Sequence, residues 1–170
     1  SQDKNDDKDK SESNEHKSEG GEGFAEKTLA AHNQFRSKHC ASPLVLDDEL
    51  NNIAQKYAEH LAQTGSFEHS HTEGLGENLW MKSSTAELSD IDGVKATKDW
   101  YDEVKNYRYD HPDFALSTGH FTQLVWADSK QLGVGIAYSD DKKSVYVVTN
   151  YKPAGNVIGN FPKNVKKPTC

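Results

Sequence analysis

The chain has little of several things, and each scarcity excludes something. Its 170 residues contain no apolar run near the roughly 18 residues that a membrane-spanning helix needs, so no transmembrane segment is expected. Cysteine occurs twice, at Cys40 and Cys170, which rules out both a dense disulfide scaffold and a CxxC metal site. HExxH spacing is absent, as are internal repeats, an N-terminal lipidation signal and a C-terminal prenylation box. Excess positive charge is missing too. The net charge is −7, which argues against a nucleic-acid partner.

Residues 1–22 lack aliphatic and aromatic side chains altogether. With eight acidic and four basic residues they carry −4 of the net charge, and they are read as a disordered acidic tail that cannot bury enough surface to offset the entropy of ordering. The remainder is only mildly acidic and long enough for one domain with a core, taken as 23–166, followed by a short Lys/Pro-rich tail, 167–170. The chain opens on Ser1, and the expectation is a mature form whose leader has been removed, or a trimmed one. An intramolecular Cys40–Cys170 bond would contribute about 4–5 kcal/mol in the chain-entropy account. A free thiol or an intermolecular bond at the chain end is the alternative.

Periodicity predicts a first helix from about Phe24 to His39, broken at Ser42-Pro43. The second is the clearest: Asp47 as N-cap, then Leu50, Ile53, Ala54, Tyr57, Ala58 and Leu61 on one face, and Gly65 to end it. Residues 66–80 read as loop with short extended structure. A third helical region is expected after Ser84, where Ser84 and Glu87 have capping-box spacing, resuming past Gly93 with Trp100, Val104 and Tyr107 in one stripe. A short helix follows from Thr118, its expected cap, to about Ala127. Two strands close the chain, in 133–139 and 144–151; in the latter Val145, Val147, Thr149 and Tyr151 oppose Tyr146, Val148 and Asn150. This order points to an α+β fold, with helices packed on an antiparallel sheet.

Three features carry chemistry. Glu103 lies inside the Trp100/Val104/Tyr107 stripe, where a carboxylate is costly unless it is paired, lines a cavity or sits at the solvated rim. His69, His71 and His120 stand in or next to Gly- and Glu-rich segments, a supply for a divalent-metal or acid–base site, although surface histidines are common. Tyr107, Tyr109 and Phe114 crowd the loop around Pro112. Such a cluster is either core or, when exposed, a patch for an apolar ligand or partner.

Seven segments follow one another in a telling order: HNQFR at 32–36, EHS at 68–70, GLGENLW at 74–80, DWYDEVKNY at 99–107, GHFTQLVW at 119–126, GVGIA at 133–137 and YVVTNYKPAGN at 146–156. The succession resembles that of the CAP superfamily: the cysteine-rich secretory, antigen 5 (venom allergen-like) and pathogenesis-related proteins. The resemblance implies a three-layer α-β-α sandwich with a central antiparallel sheet. It also implies a cavity where His69, Glu77, Glu103 and His120 can hold zinc or another divalent cation. The spacing Tyr107-x-Tyr109-xxxx-Phe114 resembles an aromatic motif that some members use for sterol. It implies a secreted, extracellular protein that takes sterol or another lipid, as monomer or weak dimer. Two alternatives stay open: an effector that binds a receptor or host protein, and a metal-dependent hydrolase with Glu77 or Glu103 as base, Ser70 being the only serine beside a candidate histidine. The many disulfides and the cysteine-rich C-terminal module of some members have no counterpart here.

Overall fold

The computed structural model describes residues 23–170; the acidic segment 1–22 lies outside the described residues. Helix α1 spans Phe24–Lys38 and strand β1 Val45–Leu46; α2 is Asp48–Thr64 and β2 Gly76–Ser83. Helix α3, Lys95–Tyr101, tightens into a 3-10 turn over Asp102–Asn106. Helix α4 is Gly119–Val125, β3 Gln131–Tyr138, β4 Ser144–Lys152 and α5 Phe161–Asn164. The sheet order is β1-β3-β4-β2, antiparallel except for the two-residue β1, which runs parallel to β3.

The alternation in β4 divides the molecule into layers. Tyr146 and Val148 face α2, where Ala54, Ala58 and Leu61 pack with them and with Leu79 of β2. Val145 and Val147 face the opposite way, onto Trp80 of β2 and onto Ala96 and Trp100 of α3. Tyr151, on the same face, packs with Leu44, Leu132 and Val134 beneath α1. The result is the α-β-α sandwich that the motif order implied, with α2 alone on one face and α1, α3 and α4 on the other.

Helix α2 forms as its sequence requires. The Asp47 carboxylate accepts from the Leu50 N–H at 3.0 Å, and Gly65 ends the helix with φ +70°. Its closeness to the sheet depends on two residues with no side chain. A Cβ on Gly133 would stand 2.3 Å from the Leu50 carbonyl, and one on Gly135 2.5 Å from that of Ala54. This approach lets α2 close the sheet edge that short β1 leaves open. Asn51 Oδ1 accepts from the Val134 N–H at 2.9 Å, and Gln55 both accepts from the Ile136 N–H and donates to the Ile136 carbonyl. An edge strand thus finds partners in side chains where another strand would otherwise be needed.

Three expectations need correction. No helix forms after Ser84. Its hydroxyl accepts from the Ala86 N–H two residues on, and Leu88 N–H goes to the Lys142 carbonyl, so the Ser-rich stretch spends its groups locally and on the β3–β4 turn. The short extended structure read within 66–80 is longer than expected, since residues 76–80 begin the eight-residue strand β2. Helix α4 is not capped by the Thr118 side chain, whose hydroxyl turns back to the Ala115 carbonyl. The chain end is also tied down. Cys170 is bonded to Cys40 with Cα atoms 5.4 Å apart, and the Cys170 N–H donates to the Lys38 carbonyl.

Gly135→Ala places a methyl group against helix backbone that cannot yield without moving α2. It should cost about 1–3 kcal/mol, read as a lower midpoint in thermal or urea unfolding. An unchanged midpoint would mean that α2 is free to rise from the sheet.

Candidate functional site

The four candidate residues form two His–Glu pairs. His69 Nδ1 lies 2.8 Å from Glu77 Oε1, and His120 Nδ1 lies 2.8 Å from Glu103 Oε2. Alternation along β2 puts Glu77 on the face of Leu79, toward α2, and Asn78 on the face of Trp80. Asn78 Nδ2 donates to the His120 carbonyl at 3.1 Å, so the two pairs stand on either face of the start of β2.

Glu77 is held by more than its histidine. The Ser70 N–H donates to Oε1 at 2.9 Å, and the Ser70 hydroxyl donates to Oε2 at 2.5 Å. Burial pushes the Glu77 carboxyl up, yet these three hydrogen bonds outweigh it and leave the group below its ordinary value. The bond to Glu77 raises His69, against the opposing effect of burial. Since the Ser70 proton goes to the carboxylate, the hydroxyl is a tie for Glu77, and Thr72, 2.9 Å from the same oxygen, extends the chain. The Tyr57 hydroxyl donates to the Glu68 carbonyl and pins the loop from below.

Glu103 explains its place in an apolar stripe. Oε1 accepts from the backbone N–H groups of His120 and Phe121, each at 3.0 Å, so the carboxylate caps α4 from a remote segment. Oε2 meanwhile fixes the His120 imidazole, which stacks on Trp100 with ring centroids 6.0 Å apart and an interplanar angle of 16°.

Both imidazoles offer their Nδ1 to a carboxylate and leave Nε2 available, the arrangement in which carboxylates orient metal-binding histidines. A closed tetrahedral site takes four ligands, and among the described residues no group of three or more His, Cys, Asp or Glu could share one ion. The donor set as placed therefore does not fit a closed structural zinc site.

A cavity of about 250 Å³ opens over the first pair, lined by His69, Ser70, His71, Thr72, Leu75, Glu77 and Asn150. Asn150 lies opposite Glu77 in the strand register, is 1% exposed, and has an Oδ1 without a hydrogen-bond partner among the described residues. Sequence reasoning did not single it out. The signal was there: a polar residue ending the Tyr146/Val148 face of β4.

The aromatic candidates separate. Tyr107 is buried with Phe121, Leu124 and Phe161, and Tyr109 packs on it edge-to-face at 4.9 Å. Phe114 is 41% exposed, and a Cβ on Gly119 would meet its ring at 2.9 Å. Among the described residues, the buried hydroxyls of Tyr107 and Tyr109 have no hydrogen-bond partner. Burial raises both, Tyr109 to about 12.

The first pair makes a pH-dependent contribution. A raised His69 contributes stability fully below its ordinary 6.5 and loses it as pH climbs through the folded value. A depressed Glu77 contributes above its ordinary 4.5 and loses it as pH falls through its lowered value. The pair is thus complete between pH 4.5 and 6.5. An NMR titration of His69 should give a midpoint above 6.5 that falls in Glu77→Gln; a wild-type midpoint at or below 6.5 would break the pairing argument.

Comparison with known proteins agrees with the motif order. The profile of the CAP family, described as the cysteine-rich secretory protein family, matches residues 29–151. The chain is 43% identical over 150 residues to human Golgi-associated plant pathogenesis-related protein 1, covering 85% of this chain and 94% of that one. It is 35% identical over 147 residues to Secreted protein RBT4 of Candida albicans, covering 84% of this chain but only 38% of that longer protein. Among solved structures, BmVAL-1 aligns with a TM-score of 0.72 at 23% identity, over 85% of this chain and 84% of that one, a likeness of fold. NaASP2 with Zn2+ aligns with a TM-score of 0.63 at 26% identity, over 84% and 85%. With its motifs, sandwich and relatives in agreement, the chain belongs to the CAP family of cysteine-rich secretory proteins.

Proposed function

We propose that this protein is a secreted carrier that takes a sterol or a similar lipid, one with a flat apolar body and a single hydroxyl, beneath the 107–116 loop. The observation that carries the reading is the pair of neighbouring buried tyrosine hydroxyls, Tyr107 and Tyr109, left without partners under a loop whose tip exposes Phe114 and Leu116. A buried hydroxyl without a partner costs about 1–3 kcal/mol. A ligand hydroxyl would recover that cost, while a rigid ring system loses little entropy on binding. Secretion is supported by the name of the Candida relative, while that of the human relative ties its bearer to the Golgi. A receptor or host-protein partner remains the alternative, and the geometry offers nothing specific for it. Hydrolysis ranks last, because the Ser70 hydroxyl is bound to Glu77.

The test is equilibrium binding of a labelled sterol. Because Tyr107 is core, the informative variant is Tyr107→Phe with Tyr109→Phe, which keeps both rings and removes only groups that lack partners; its unfolding midpoint should be equal or higher. Wild type should bind saturably and the double variant about tenfold more weakly. Absence of wild-type binding, or equal binding by the two proteins, would refute this reading.

Two imidazoles, each with Nδ1 on a carboxylate, support a second, compatible reading. His69 and His120 would hold zinc or another divalent cation through Nε2, with Glu77 and Glu103 orienting the rings; a bound ion would supply charge. The NaASP2 structure with Zn2+ is in keeping with this. Zinc titrated calorimetrically into wild type should bind once per chain and be lost in His69→Ala and in His120→Ala alike. Retention of the heat in both variants would move the ion elsewhere.

A further inference from the structure

Neither reading above fills the cavity of about 250 Å³ that opens over Glu77. One water occupies about 30 Å³ of liquid, so the space takes a ligand of several heavy atoms. The hydrogen-bonding capacity of its lining is uneven, and that imbalance identifies what fits.

Asn150 Nδ2 donates to the Gly76 carbonyl at 3.2 Å, which fixes the way round of the amide and leaves Oδ1, an acceptor, without a partner among the described residues. A buried polar atom in that condition calls for an explanation. Glu77 stands opposite Asn150 in the register, with Cβ atoms about 5 Å apart in such pairs. Its Oε1 receives two donors, His69 Nδ1 and the Ser70 N–H, whereas Oε2 receives only the Ser70 hydroxyl. With that proton committed, the Ser70 oxygen accepts from the Thr72 N–H at 3.2 Å and from the Thr72 hydroxyl at 2.9 Å. The Thr72 oxygen is then left with lone pairs alone.

Three oxygens on residues that line one cavity thus keep uncommitted acceptor capacity: Asn150 Oδ1, Glu77 Oε2 and Thr72 Oγ1. Both hydroxyl protons at the cavity, those of Ser70 and Thr72, are already given away. No Lys or Arg lines it among the described residues. We propose that the cavity binds a primary alkylammonium, its short carbon chain lying against Leu75. An –NH₃⁺ group brings three donors and no acceptor, and one of its three partners is a carboxylate. A carboxylate or phosphate ligand would meet lone pairs with lone pairs, and an alcohol would supply one donor for three acceptors. The inference goes beyond lipid carriage and ion binding, and needs neither.

The experiment is an amide NMR titration of the full chain with n-butylammonium chloride, with a chelator present throughout. Saturable shifts should appear at Ser70, Thr72, Glu77 and Asn150, with a Kd on the order of 1 mM for so small a ligand. Tetramethylammonium, which has the charge but no N–H, should fail to bind, and butan-1-ol should bind at least tenfold more weakly. Thr72→Val alters an exposed residue and should keep the unfolding midpoint while weakening butylammonium about tenfold; Asn150→Ala should weaken it as much, with the midpoint showing that the variant is folded. His120→Ala, which the ion reading requires to lose zinc, should bind butylammonium as wild type does. Nα-acetyl-lysinamide in place of butylammonium separates two sources of the group: equal binding assigns it to a lysine side chain, and binding of butylammonium alone to a free amine. Absence of saturable shifts in wild type, equal binding of tetramethylammonium or butan-1-ol, or affinity unchanged in both cavity variants would overturn the proposal.

Discussion

The structure hangs on a buried guanidinium that has no carboxylate partner among the described residues. Arg36 is fully buried in α1, and its nitrogens donate to four carbonyl oxygens: Ser42, Leu124, Trp126 and Ser129, at 2.9 to 3.1 Å. Burial lowers it to about 10, which still leaves it charged at neutral pH. Such a charge is tolerable only when its donors are met, and here the acceptors include the carbonyl groups at the C-terminal end of α4, where a helix is electronegative. Glu103 occupies the opposite end, on the first N–H groups. A seven-residue helix is too short to be stable alone. Helix α4, with every residue from Phe121 to Val125 buried, is fixed by a cation at one end and an anion at the other.

That arrangement decides where His120 can be. The residue sits in the first turn of α4, its carbonyl tied to Asn78 and its ring to Glu103 and Trp100. Asn78 also donates to the Tyr151 hydroxyl, which accepts from Thr149 and donates to His32 Nε2 at 2.7 Å. His32, fully buried and lowered to about 3 by that burial, stays neutral and keeps Nε2 as an acceptor. A satisfied polar network therefore runs from α1 through β4 and β2 to the site, and it leaves few alternative packings. The His69 side is built differently, from a loop held to Glu77 by one imidazole and one serine.

What could be read from the sequence follows the range of the forces involved. Local capping and period gave α2 from Asp47 to Gly65, and the alternation of 144–151 gave the two faces of the sheet correctly. The Ser84–Glu87 spacing misled, because a capping box competes with equally local serine turns and nothing buries that stretch as a helix. Long-range polar contacts were invisible: Arg36 stood in a recognisable motif without its role being evident, and Glu103 was flagged as anomalous without the helix it caps. The aromatic loop was ambiguous for a related reason. Spacing identified Tyr107, Tyr109 and Phe114 as a group, but only packing around Phe121 separates the core Tyr107 from the exposed Phe114.

The double duty of Glu103 bears on how the site can be dissected. Alanine there would remove the α4 cap and the histidine's partner together, so lost function would not distinguish a displaced helix from a missing carboxylate. Glutamine separates the two. Its carbonyl oxygen can still accept from the His120 and Phe121 N–H groups, preserving the cap, while its amide presents a donor where Oε2 had accepted. His120 must then turn its Nδ1 lone pair toward that amide and carry its proton on Nε2. In that tautomer the helix stays in place but Nε2 no longer presents a lone pair. The carboxylate thus has two separable roles, one oxygen serving the fold and the other the tautomer of His120.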